Sequence, residues 1–98
     1  MKYTISTHGV RLSAHNKEQI GEKTARLEKF LKHPLPVEIT FRREGKGSLI
    51  VCVLMYGEGK HVLRAERESH SVEESLDLAL GALKRELVKQ HEKANSKV

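Results

Sequence analysis

Between Ser71 and Lys93 the chain runs SVEESLDLALGALKRELVKQHEK, and Leu76, Ala79, Leu80, Leu83 and Leu87 recur at i, i+3, i+4, i+7 and i+11. That spacing is one stripe of an α-helix, and the stripe needs a surface to pack on. Ser71 and Glu74 have the form of a capping box, in which the hydroxyl accepts from the amide three residues on and the carboxylate reaches back. A second helical period runs from Ser13, as N-cap, to about His33. It puts Ile20, Thr24, Leu27 and Leu31 on one side, Leu12 in a staple position and Pro34 at the stop.

The remaining segments have the period of strands. Lys2 to Thr7 is a short strand ended by His8 and Gly9. Val37 to Arg43 alternates Val37, Ile39 and Phe41 with Glu38, Thr40 and Arg42, the pattern of one buried face. Glu44-Gly45-Lys46-Gly47 is a turn, and Leu49 to Tyr56 is apolar at every position, so this strand is expected at the centre of the sheet. Gly57-Glu58-Gly59 connects it by a hairpin to Lys60 to Glu68, with Leu63 and Ala65 inward. The order β-α-β-β-β-α predicts an α+β fold, a four-stranded mixed sheet with two helices packed on one face, strand two parallel to strand one and the rest antiparallel. One domain over residues 1–94 is expected, with residues 95–98 as a disordered tail. The outer face of the central strand carries Ile50, Cys52 and Leu54 or the alternate set. It is either roofed by the stems of Arg42 and Arg64 or open as a dimer or partner surface.

Charge changes this picture. The 98 residues hold 18 Lys and Arg against 13 Asp and Glu, a net charge of +5, which points to an anionic partner. The excess is uneven: Glu73, Glu74 and Asp77 open the last helix, whereas Lys84, Arg85, Lys89 and Lys93 close it. Arg85, Lys89 and Lys93 form a row turned away from the apolar stripe. In the first helix Glu22 can pair with Arg26 and Glu28 with Lys32 at i, i+4, while Lys17, Lys23 and Lys29 lack such partners. Side by side, the two helices would join these residues into one basic surface that grips RNA phosphates with little reading of sequence. Tyr3, Phe30, Phe41 and Tyr56 are the whole aromatic complement, which favours phosphate contact over base stacking.

Other chemistry finds little support. Cys52 is the only cysteine and lies among valines, as a packed thiol would. The six histidines include no pair at helical i, i+3 or i+4 spacing, so no metal is expected. Gly45-Lys46-Gly47 lacks the strand-to-helix setting of a phosphate loop. No catalytic constellation, cofactor or enzyme activity is expected. The N-terminus lacks a signal-peptide core and the longest apolar run is too short to span a bilayer, so the expected location is cytoplasmic, with no membrane partner.

The segment GVRLSAHNKEQIGEKTARLEKFL resembles the Gly/Asn-Val-x-Ile-Thr strand and the Lys-x-x-Lys/Arg-Leu-Glu-x-Tyr/Phe helix of the short ribosome hibernation promoting factors. These are also called sigma-54 modulation or ribosome-associated inhibitor proteins. The matching positions are Lys23, Arg26, Leu27, Glu28 and Phe30. LALGALKRELVK is similar to the family's Lys-Leu-x-Arg-Gln-Leu-x-Lys, with Leu83, Arg85, Leu87 and Lys89 matching. The resemblance covers nearly the whole chain. It implies a fold like that of double-stranded-RNA-binding domains and binding to small-subunit rRNA in the mRNA and tRNA channel, which silences translation and preserves idle ribosomes under stress. The contacts it carries over are Lys17, Lys23, Arg26, Arg85, Lys89 and Lys93. No DNA partner, and no second domain of the long family type, is expected. Two departures lower the expected hold on rRNA: Ser71-Val72-Glu73 stands where the family has Asp-Met-Tyr, and Ala82 where it has lysine. The alternative is an interaction module, or a weak homodimer of an otherwise monomeric chain, using the outer sheet face.

Overall fold

Alternating apolar positions decide the sheet. A computed structural model describes the backbone of residues 2–45 and 47–96 and the side chains of residues 2–45 and 47–90. Its elements are β1 (Tyr3–His8), α1 (Ala14–Phe30), β2 (Val37–Arg43), β3 (Ile50–Glu58), β4 (His61–Ser69) and α2 (Val72–Ser96). The sheet order is β1-β2-β3-β4. β1 and β2 are parallel, because α1 carries the chain back, and the two hairpins make the other pairs antiparallel. Of the expected tail, Asn95 and Ser96 fall within α2, and residues 97 and 98 lie outside the described residues.

Both helix starts are capped by serine. The Ser13 hydroxyl accepts from the Asn16 amide at 3.0 Å and the Asn16 side chain accepts from the Ser13 amide at 3.1 Å, a reciprocal box. The Ser71 hydroxyl accepts from the Glu74 amide at 3.0 Å. α1 ends at Phe30, short of the expected His33. Leu31 turns extended at φ −102° and ψ 137°, and its amide donates to the Glu28 carbonyl at 3.1 Å. Pro34 and Pro36 then keep the connection out of helical conformation, and it reaches β2 extended.

Inward residues of the strands meet the helix stripes. Ile39 and Phe41 of β2, Cys52 and Leu54 of β3, Ile20 of α1 and Leu76 and Leu83 of α2 are almost wholly buried in one cluster. Val10, in the β1–α1 connection, joins them. Among the described residues, the two buried hydroxyls in the helices bond back along their own backbone: Thr24 donates to the Ile20 carbonyl at 2.7 Å and Ser75 to the Val72 carbonyl at 2.9 Å.

The outer face of β3 carries Val51, Val53 and Met55. Val51 and Val53 remain only 3% and 7% exposed although no helix covers them. A charged lattice roofs them. Arg42 of β2, opposite Val51, donates from Nη2 to Glu66 Oε1 at 3.3 Å, and Arg64 of β4, opposite Met55, donates to the same oxygen at 2.8 Å. Arg42 Nε also donates to Glu44 at 3.1 Å. That hydrogen bond, with the charge of Glu66, holds the Arg42 guanidinium above its ordinary value. The stems of these side chains exclude water while their heads satisfy one another.

Two glycines shape the β3–β4 hairpin. Gly59 has φ +59° and is the first central residue of a two-residue loop, where a type II′ turn needs glycine. Gly57 has φ +127°, and a Cβ there would stand 2.0 Å from the His61 carbonyl oxygen. Gly57→Ala should therefore cost on the order of 2–4 kcal/mol, and Gly59→Ala, which meets nothing within 4 Å, about 1 kcal/mol; urea-melting midpoints check the order.

Burial pushes the Cys52 thiol from 9.0 up to about 12. The unfolded chain releases this proton near pH 9 and the folded chain only near pH 12. The thiol's contribution to stability is thus complete below pH 9 and falls by roughly 1.4 kcal/mol per unit above it. Thiol reagents should label the native protein at pH 8 orders of magnitude more slowly than the urea-unfolded chain. Between pH 9 and 11 the loss of stability should be shallower in Cys52→Ala than in the parent.

Candidate nucleic-acid interface

A helical wheel places a side chain about its own axis but does not say which flank meets a neighbour. In the structure Lys23, Arg26 and Phe30 of α1 face Asp77, Gly81 and Lys84 of α2 across a groove of about 210 Å³. Lys23 lies opposite Asp77 and Phe30 opposite Lys84, so the helices run in the same direction and their C-terminal ends are neighbours.

Lys23 is not a free cation. Its Nζ bonds Asp77 Oδ1 and lies 3.7 Å from Glu73 Oε1, with only 13% of the side chain exposed. This corrects the expectation that it is unpaired: its partners come from the other helix, which no i, i+4 count along α1 can reveal. Further along the groove the Lys84 ammonium sits 5.0 Å from the centre of the Phe30 ring, a cation–π contact on an aromatic that is 45% exposed.

Arg85 and Lys89 stand on the opposite flank of α2. With Arg64 and Arg67 of β4 they line a cleft of about 480 Å³ between that helix and the sheet edge, with buried Ala82 beside them. Glu66 and Glu86 also line it and Lys89 Nζ is 3.7 Å from Glu86, so the cleft holds acids as well as cations. Ala82, where the resembling family has lysine, is on this flank. Lys17 and Lys29 are exposed on α1, and the side chain of Lys93 lies outside the described residues.

The expected single basic surface is therefore divided. Arg26 shares one groove with Lys84, whereas Arg85 and Lys89 belong to another with Arg64 and Arg67. The apolar stripe of α2 lies between Asp77 and Ala82, and α1 occupies the Asp77 side. Three of these cations, Lys84, Arg64 and Arg67, were not among the expected contacts. A signal for Lys84 was present: it lies seven positions after Asp77, on the same helix flank.

A family model described as "Sigma 54 modulation protein / S30EA ribosomal protein" matches residues 3–95. A ribosomal subunit interface protein from Coxiella burnetii shares the fold with a TM-score of 0.78 at 19% identity, over 94% of this chain and 99% of that one. The N-terminal domain of Thermus thermophilus Protein Y does so with a TM-score of 0.73 at 16% identity, over 88% of this chain and 94% of that one. No match is found among curated proteins.

The Lys23 bridge can be measured on its own. Lys23→Ala and Asp77→Ala should each lower stability by about 1 kcal/mol. A double-mutant cycle read by urea unfolding should return a coupling of roughly 0.5–1 kcal/mol that shrinks in high salt.

Proposed function

The chain belongs to the sigma 54 modulation protein / S30EA ribosomal protein family, and from that premise we propose that it silences translation by lodging in the mRNA and tRNA channel of the small ribosomal subunit. The observation that carries this reading is the separation of charge along the helix pair. Glu73, Glu74 and Asp77 gather at the start of α2, with Asp77 and Glu73 held by Lys23, while Arg26, Lys29, Lys84, Arg85 and Lys89 stand towards the shared C-terminal ends. Such a surface suits a polyanion held by its backbone. Lys17, Arg26, Lys29, Arg85, Lys89 and Lys93 are the proposed phosphate contacts, and Lys23 supports them by tying the helices together.

No bond is made or broken in this action, which is steric. The protein occupies space that mRNA and tRNA need, and its retention depends on the counterions it displaces. Ribosome association comes with the family, and a cytoplasmic location follows from that partner. No described helix is long and apolar enough to cross a membrane.

Co-sedimentation with purified small subunits tests the reading. The parent chain should be retained saturably at physiological salt. The Arg85→Glu/Lys89→Glu variant should bind at least about tenfold more weakly, with a salt slope reduced by about two. Unchanged binding would remove the α2 row from the interface. Release of the parent by modest salt, or equal binding to any RNA, would overturn the ribosome reading.

A further inference from the structure

We propose that Phe30, Lys84 and Arg26 form a subsite for one unpaired nucleobase and its phosphate, in which the base stacks on the Phe30 ring. The RNA reading above underlies this proposal. Phe30 is the last residue of α1 and is 45% exposed, whereas Phe41 and Tyr56 are buried. It lies outside the core cluster, so a large part of the ring is free of the core. Instead it forms one wall of the interhelical groove.

That groove, at about 210 Å³, is smaller than the sites that enclose drug-sized molecules, a size on the scale of one planar ring. Its charge suits a nucleotide. Lys23 and Asp77 neutralise each other, which leaves Arg26 and Lys84 as the groove's other cations. The Lys84 ammonium sits over the ring at 5.0 Å from its centre, so a face of the ring is reached from the groove. An exposed cation–π contact is weak. A base therefore takes the ammonium's place on the ring, and Lys84 turns with Arg26 to the adjoining phosphate. Stacking of this kind tolerates any base, so the subsite adds affinity for single-stranded RNA without reading its sequence.

The chain contains no tryptophan, so Phe30→Trp supplies a single reporter at the site. Riboadenylate hexamer should quench its emission saturably, and inorganic polyphosphate of equal charge should not. Phe30→Leu should weaken hexamer binding at least about fivefold with the salt slope unchanged. Its polyphosphate binding should equal the parent's, and a cooperative urea transition shows that the variant is folded. Equal emission changes with both ligands, or hexamer binding by Phe30→Leu equal to that of the parent, would overturn the subsite. If the hexamer quenches the Phe30→Trp variant but small subunits do not retain the chain, the ribosomal placement falls and the subsite stands. Retention on small subunits with no emission change in Phe30→Trp would do the reverse.

Discussion

A sheet with helices on one side must keep its other side dry without a second layer, and β3 is where this constraint is sharpest. Its inward residues Ile50, Cys52, Leu54 and Tyr56 hold both helices to the sheet, while Val51 and Val53 are equally buried on the outside. The outer cover is ionic at its surface and hydrocarbon beneath. Arg42 of β2 reaches across β3 to Glu66 of β4, which Arg64 also holds, so the Arg42–Glu66 pair spans the valines. This frees the helix layer from sealing the sheet twice. The exposed surfaces of α1 and α2 can then be given to charge.

The helix pair has a constraint of its own. Because α1 and α2 run in the same direction, their dipoles do not cancel and like ends meet. Acids at the start of α2 and bases towards its end answer this arrangement, and Lys23 crosses between the helices at the acidic end. The bridge and the basic grooves are thus parts of one solution. Where the acids are tied up by Lys23, they repel an approaching phosphate chain less.

Most of the fold was legible in the sequence because it depends on local period. β2 runs over the residues its alternation predicts, and the stripes of both helices are the ones that pack. α1 ends three residues before the expected His33, since Pro34 marks where a helix cannot continue and not where Leu31 leaves it. The site was less legible. Exposure of Arg26, Arg85 and Lys89 follows from their angle to the stripe, but the flank of α2 taken by α1 is a tertiary fact. For the same reason the partners of Lys23, the pairing of Lys84 with Phe30 and the approach of Arg67 to α2 could not be read from spacing. The choice between the two faces of β3 was equally closed, because a strand apolar at every position has no polar side to mark the outside.

The charge separation along α2 also has a kinetic side. A body with acids at one end and bases at the other is an electric dipole, and in the field of a polyanion it experiences a torque before it touches anything. If RNA is its partner, as proposed, such a molecule reaches that surface already turned, with the C-terminal ends of its helices leading. Few encounters are then lost to the wrong orientation, and capture proceeds faster than blind collision of the same two shapes. Added salt blurs that sense of direction before it dissolves the grip.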